Sequence, residues 1–256
     1  MSFAARIGIL VMISTTAIVA TLFVDSIAQD PAYHNFADQR TAFGISNFAD
    51  VISNAGFLFA GLIGLFAVLK GRSDGLFDDR ADAIPYVVFF VGIVAVAIGS
   101  AYYHVIPTNE RLFWDRLPMT VGFMGLTSAL IADRINTRAG LTIVLPVFVV
   151  LGILSLFYWQ YTEELGRGDL RFYALVQFLP IVLIPVICGM FPKARYTGKG
   201  GLVPVILWYL VAKGLEHFDP QVFELLGQTV SGHSLKHLAA AMACFMVLRM
   251  LKRQRS

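Results

Sequence analysis

The sequence predicts an all-α integral membrane protein, and two observations support this fold class. Hydrophobic residues make up 57% of the chain and charged residues only 14%, whereas an average soluble domain carries roughly 25% charged residues. The apolar residues are also gathered into runs of near-membrane-spanning length, for which about 20 residues are needed in a helix. Together the runs leave no room for a separate soluble domain.

Eight such runs follow one another along the chain, with no internal repeat between them. Gly and Pro occur in several of the short polar segments that separate them, where they stop and restart helices. The predicted spans are residues 7–24, 47–69, 85–105, 113–132, 140–159, 170–191, 201–216 and 232–251.

The first run allows two interpretations. Arg6, the apolar residues after it and the small residues SIA before Gln29 fit a secretory signal cleaved after Ala28. The run of about 17 apolar residues exceeds the usual 7–15-residue signal core, which favours a retained anchor. Residues 1–28 are therefore a membrane anchor or signal segment, and residues 29–256 form the main membrane domain.

The basic residues predict how the bundle is oriented. Loops on the cytoplasmic side of a membrane protein carry an excess of Lys and Arg, and thirteen of the 20 fall on one side of the predicted topology. These thirteen are Arg6, Lys70, Arg72, Arg80, Arg134, Arg138, Lys193, Arg195, Lys199, Arg249, Lys252, Arg253 and Arg255. Both termini are therefore expected in the cytoplasm. The basic residues suit anionic lipid, and without a recognisable nucleic-acid-binding module no nucleic acid is expected as a partner.

A polar cluster is expected around the stretch GSAYYHVIPTNERLFWDRLPMT, residues 99–120. Polar groups at membrane depth are costly and commonly functional. Ser100 and His104 are four residues apart and share one helix face. Asp115 is predicted to open the next helix at nearly the same depth.

A second cluster, HSLKH, places His233 and His237 at i and i+4, a spacing at which two imidazoles can bind one metal. Alone, the pair is better explained as two interfacial histidines. The topology, however, brings it to the same outer face as His104. Three imidazoles and a water would form an open zinc site suited to hydrolysis. Asp115 would be the general base or would orient a ligand histidine, and Ser100 would donate to the oxyanion.

These motifs resemble a known family. SAYYH, WDRLPM and GHSLKH, in that order, are similar to the alkaline ceramidases, specifically their bacterial branch, over residues 40–251. That family belongs to a membrane-hydrolase superfamily that also includes adiponectin-receptor-like proteins.

The resemblance implies seven helices around a zinc site, here preceded by one extra span, with His104, His233 and His237 as ligands and Ser100 and Asp115 as catalytic residues. It implies hydrolysis of the amide bond of ceramide, or of another N-acyl membrane lipid, to a fatty acid and a sphingoid-type amine. The expected location is a bacterial inner membrane, with the active site facing outward.

The resemblance gives little support for calcium. The family's acid-rich calcium segment is reduced here to Asp38, Asn47 and Asp50. The alternative function is a zinc-containing receptor or sensor of the same superfamily. A transporter ranks last because no inverted repeat or pair of broken helices is visible. The oligomeric state is left open.

Several other polar and sulfur-containing residues have structural interpretations. Asp50 and Asn54 are expected to make interhelical hydrogen bonds rather than to bind a cation or substrate. Glu163 and Glu164 are expected in a solvated loop. Cys188 and Cys244 lie inside predicted spans, so they are interpreted as packing residues rather than a disulfide.

Overall fold

The protein is described by a computed structural model that covers residues 1–198 and 200–253. Lys199 and Arg255, both assigned to the basic side from the sequence, lie outside these residues. Within the described ranges the regular structure is helical, with one isolated bridge between Ala42 and Ile45. The helices are α1 Phe3–Phe23, α2 Phe48–Ser53, α3 Ala55–Ser73, α4 Ile84–Val105, α5 Asn109–Arg134, α6 Thr137–Ala139, α7 Leu145–Glu164, α8 Arg171–Met190, α9 Val203–His217, α10 Asp219–Leu225 and α11 Gly232–Arg253.

Six helical segments among the described residues are long and apolar enough to cross a membrane. They are Phe3–Phe23, Phe48–Ser73, Arg80–Val105, Thr137–Glu164, Arg171–Met190 and Gly232–Arg253. The predictions at 113–132 and 201–216 do form helices, α5 and α9, but neither meets the criterion. Helix α5 carries charged residues near both ends, and α9 has only 15 residues. The structure therefore supports an all-helical membrane protein, and the prediction of seven helices plus one stays a prediction.

The start of α5 differs from the prediction. The helix begins at Asn109, so Asp115 lies nearly two turns inside it rather than at its first turn. The cause is local: the Thr108 side chain accepts a hydrogen bond from the backbone amide of Arg111. Such a cap satisfies an amide that has no partner within the helix. The charged first turns of α5 are therefore helical as well.

Helices α4 and α5 pack closely because glycine lies at their contacts. A Cβ atom at Gly92 would be 2.9 Å from the backbone nitrogen of Gly122, and one at Gly125 would be 2.9 Å from that of Phe89. A Cβ atom at Gly99 would overlap with the carbonyl oxygen of Trp114. Small residues let helix backbones approach in this way. The close packing holds Ser100 and Asp115, each one residue beyond such a contact, in neighbouring positions.

The loop between α8 and α9 ties several helix ends together. Arg195 donates to both carboxylate oxygens of Asp82, at 3.0 and 3.1 Å. Asp133 at the end of α5 accepts from the backbone amides of Arg195, Tyr196 and Thr197. This end of the bundle is called the basic end below. It is formed by the first turn of α1, the C-terminal ends of α3, α5 and α11, the turn before α4, helix α6, and residues 191–198 and 200–202.

Candidate metal centre and the cavity beside it

Three histidines meet at the end of the bundle opposite the basic end. His104 lies in the last turn of α4, and His233 and His237 lie in the first two turns of α11. All three are buried, with 1%, 5% and 3% of their surface exposed. One ring nitrogen from each lies within 4.8 Å of the others. The predicted convergence of the three imidazoles is confirmed.

The spacing between the ring nitrogens suits a metal ion. The Nε2 atoms of His104 and His233 are 3.3 Å apart. Two nitrogens bound to tetrahedral zinc at 2.0–2.1 Å lie about 3.3–3.4 Å from each other. Three neutral imidazoles without an intervening carboxylate are also a common zinc donor set. The residues therefore fit zinc in both spacing and chemistry.

A hydrogen-bond chain orients His237. Its Nδ1 atom is 2.8 Å from the hydroxyl oxygen of Ser53, which in turn donates to the backbone carbonyl of Asp50 at 3.0 Å. With Nδ1 engaged as the donor, Nε2 is the nitrogen left for a metal. The sequence motifs do not indicate Ser53, because its partner lies 184 positions away. Its place in the polar sequence ISN, just before the helix break at Asn54, is the only signal in the sequence.

Asp219 fixes the start of α11. One of its carboxylate oxygens accepts from the backbone amide of His233 at 2.7 Å, and the other accepts from the amide of Ala37 at 2.9 Å. The first amide groups of a helix have no partner within it, so a buried carboxylate there is stabilising. Asp219 therefore joins the first turn of the metal-site helix to the loop that covers it.

The segment between α1 and α2 covers the histidines. The Phe36 ring, itself 5% exposed, has its centroid 4.7 Å from that of His104 and 4.3 Å from that of His233. His34 is held between the Tyr103 hydroxyl and the Asn109 side chain, both at 2.8 Å. The segment is therefore a lid over two of the histidines.

Asp50 and Glu163 give different outcomes for the predictions about polar residues. Asp50 on α2 accepts a hydrogen bond from Ser234 on α11 at 2.6 Å, which confirms the interhelical interpretation. Glu163 and Glu164 lie in the last turn of α7, and Glu163 accepts from the indole nitrogen of Trp159 at 2.9 Å, so the prediction of a solvated loop is wrong there. Cys188 and Cys244 are free thiols, as expected.

A cavity of about 420 Å³ opens beside the histidines. Ser100, Asp115 and His237 line it. Asp115 is not part of the metal-ligand cluster. Most of the remaining wall is apolar and comes from α4, α5, α8, α9 and α11. A cavity of this volume suits a small molecule, and it cannot hold a nucleic-acid duplex.

Arg116, which is not among the thirteen basic residues of the predicted cytoplasmic side, is enclosed at the edge of this cavity. It is 7% exposed, and its guanidinium carbon lies 4.8–5.4 Å from the ring centroids of Trp159, Tyr173 and Tyr33. It donates to the side-chain oxygen of Gln29 at 2.7 Å. Aromatic rings placed around a cation in this way stabilise it through the electrostatic attraction of their faces. Trp159 thus packs on this buried charge.

A family model described as the dsRNA-gated channel SID-1 matches residues 2–195. The match runs from α1 to the loop after α8, and it includes Ser100, His104 and Asp115. The chain belongs to this family. No curated protein matches the chain.

Membership of the SID-1 family corrects the functional predictions. The assignment to the alkaline ceramidases, the hydrolase activity and the ceramide-like lipid substrate are wrong, and the receptor alternative is not supported. The expectation of no nucleic-acid partner is contradicted as well, because the family is named for double-stranded RNA. The histidine spacing indicates a metal site but does not fix a reaction. The absence of inverted repeats ranks the transporter class last, but such repeats mark only some transport folds, so their absence does not exclude transport.

Proposed function

We propose that the chain is a membrane protein that forms or gates a passage in response to double-stranded RNA. The supporting observation is the family match across residues 2–195, a range that contains five of the six candidate membrane spans. An all-helical bundle satisfies its backbone hydrogen bonds internally, as a protein surrounded by lipid must. The 420 Å³ cavity is far smaller than an RNA duplex, so RNA acts at a surface of the protein and not from within this cavity.

Electrical recording tests this function. The purified chain is reconstituted into planar bilayers, and conductance is recorded before and after addition of a short RNA duplex. The expected result is a conductance that rises with the duplex and does not rise with the same strand alone. Protein-free bilayers provide the control. Absence of both a duplex-dependent conductance and duplex binding would contradict the proposal.

We further propose that His104, His233 and His237 bind one zinc ion per chain. Support comes from the 3.3 Å separation of two Nε2 atoms and from the burial of all three rings. Bound zinc would join α4, which packs mainly on α5 and α3, to α11, which packs mainly on α9 and α3. The metal would thereby add a direct link between two helices that share α3 as a neighbour.

Elemental analysis of purified protein tests the metal. One equivalent of zinc is expected in the wild-type chain and very little in the triple variant His104→Ala, His233→Ala and His237→Ala. His217→Ala is the matched control because this histidine is exposed and lies outside the cluster. Full zinc content in the triple variant would refute the proposal that these three histidines bind the metal.

For Ser100 and Asp115 we propose a supporting role beside the metal. The two side chains share a cavity wall with His237. A carboxylate placed outside the ligand set can orient a metal site, and its loss typically weakens metal affinity by about 10–100-fold. Asp115→Asn is therefore expected to weaken zinc binding without abolishing it, as measured by chelator competition. Unchanged affinity would exclude this role.

We also propose that both termini face the cytoplasm and the histidines the outer side, on the basis of the distribution of Lys and Arg. Cysteine labelling at Thr108 and Lys252 tests the orientation. Only the cysteine at position 108 is expected to react from outside intact cells, and labelling at position 252 would reverse the orientation.

A further inference from the structure

The two ends of the bundle carry opposite charge. Among the described residues, the basic end has eleven Arg and Lys against five Asp, an excess of six positive charges. The remainder of the described chain has seven Arg and Lys against twelve Asp and Glu, an excess of five negative charges. The field of the protein therefore attracts a polyanion to one end and repels it from the other.

Many basic side chains at that end are accessible to a ligand. Five of them are exposed and form no ion pair or side-chain hydrogen bond within the described residues: Arg80, Arg138, Lys193, Arg249 and Lys252. By contrast, Arg195 is bound to Asp82 and Arg134 to Thr197. Those interactions build the surface, whereas the five free side chains project from it.

The free cations come from separate elements that the fold brings to one end. Arg138 belongs to α6, Lys193 to the loop after α8, and Arg249 and Lys252 to the last turns of α11. Arg195 links these elements through Asp82, Thr137 and the backbone hydrogen bond to Asp133. A surface built from several elements can contact phosphates along a duplex, which presents one negative charge about every 1.7 Å.

We propose that the basic end is the surface that holds the phosphate backbone of double-stranded RNA. The inference rests on the proposed function and specifies which face of the protein meets the RNA: it is the face that the proposed orientation places in the cytoplasm. The chemistry is recognition of closely spaced phosphates by exposed Lys and Arg, which supplies affinity without reading sequence. The acidic opposite end offers no comparable surface.

Salt-dependent binding tests this inference in the full chain. The protein is placed in nanodiscs of phosphatidylcholine alone, which removes anionic lipid, and binding of a fluorescent RNA duplex is measured by anisotropy across a salt series. Two double variants remove exposed charges from the basic end: Arg138→Gln with Lys193→Gln, and Arg249→Gln with Lys252→Gln. The matched control removes two charges from the opposite end, as Arg111→Gln with Arg167→Gln.

Each double variant at the basic end is expected to weaken RNA binding and to reduce the slope of log affinity against log salt by about two, or about one for each phosphate that is no longer neutralised. The control is expected to retain the wild-type slope. Unchanged thermal midpoints show that the variants are folded. The sequence of the RNA duplex is expected to have little effect on affinity.

Three results would overturn the inference. In the first, the wild-type chain binds RNA and both variants at the basic end keep the wild-type affinity and salt slope. This result would refute the basic end as the RNA-binding surface and leave the proposed function standing. If the two variants at the basic end bind RNA normally but no longer bind vesicles containing phosphatidylserine, the surface recognises lipid instead of RNA. Absence of duplex binding by the wild-type chain at every salt concentration would refute the surface and the proposed function together.

Discussion

Replacing Ser53 with Ala is the sharpest test of the metal centre, because it alters the support of a ligand while leaving all three histidines in place. The Ser53 hydroxyl is 2.8 Å from Nδ1 of His237, whose ring is buried. Its removal leaves a buried ring N–H without a partner, which costs about 1–3 kcal/mol. Loss of an outer hydrogen-bond partner typically lowers metal affinity by about 10–100-fold, or about 1.4–2.8 kcal/mol. The cost of the unpaired N–H and the expected loss of metal-binding free energy are therefore of similar size.

The assay is competition for zinc between the purified protein in detergent and a chromogenic chelator. Ser53→Ala is expected to raise the zinc Kd by about 10–100-fold. Ser155→Ala is the matched control, because Ser155 is also buried and donates to a backbone carbonyl, that of Gly152, but contacts no histidine. An equal Kd for wild type and Ser53→Ala would refute the assignment of Ser53 as the support of His237. Equal loss in both serine variants would indicate general destabilisation.

Two further predictions concern packing and pH. Gly99→Ala is expected to lower the thermal midpoint markedly, because the new Cβ would overlap with the carbonyl oxygen of Trp114; Gly189→Ala, whose new Cβ would have no neighbouring atom within 4 Å, is the control, and equal midpoints would contradict the proposed close packing. The hydrogen bond from Arg40 holds the pKa of Asp38 below its ordinary 3.8, although burial opposes this shift. The ionised Asp38 carboxylate therefore stabilises the fold fully at pH values above 3.8, and this stability is lost as the pH falls through the lowered pKa. Thermal midpoints measured from pH 6 downward should show the loss in wild type, and Asp38→Asn should remove that component; an identical pH profile in both proteins would contradict it.

The sequence predicts the helices better than it predicts the contacts that complete the site. Apolar runs locate the long helices because burial in lipid demands continuous hydrophobic residues. They misplace the start of α5, where the cap at Thr108 makes a charged segment helical. The convergence of His104 with His233 and His237 follows from helix order and spacing. Contacts of Phe36 and Ser53 with these rings depend on chain segments far apart in sequence, which local periodicity does not encode.

Function is predicted least well, and the reason is chemical. His104, His233 and His237 form the cluster that their spacing suggests, but three imidazoles can serve a structural metal as well as a catalytic one. Asp115 likewise has a carboxylate suited to acid–base chemistry, and its position in the cavity wall beside His237 is equally suited to support of a metal. The family match over the chain, and not these side chains, excludes the hydrolase.

The position of Phe36 would limit the exchange of a metal ion bound by the three histidines. Its ring covers His104 and His233, and the segment that carries it is fastened by the bonds of His34, of the Ala37 amide to Asp219, and of Arg40 to the carbonyl of Thr229. An ion bound beneath this ring can leave or enter by that route only after the segment opens locally, an event that breaks several hydrogen bonds at once. Dissociation along that route would be slow and set by opening of the segment, and a chelator added in excess would then remove zinc at a rate independent of its own concentration. Exchange through the cavity that His237 lines needs no such opening, and its rate would rise with the chelator concentration.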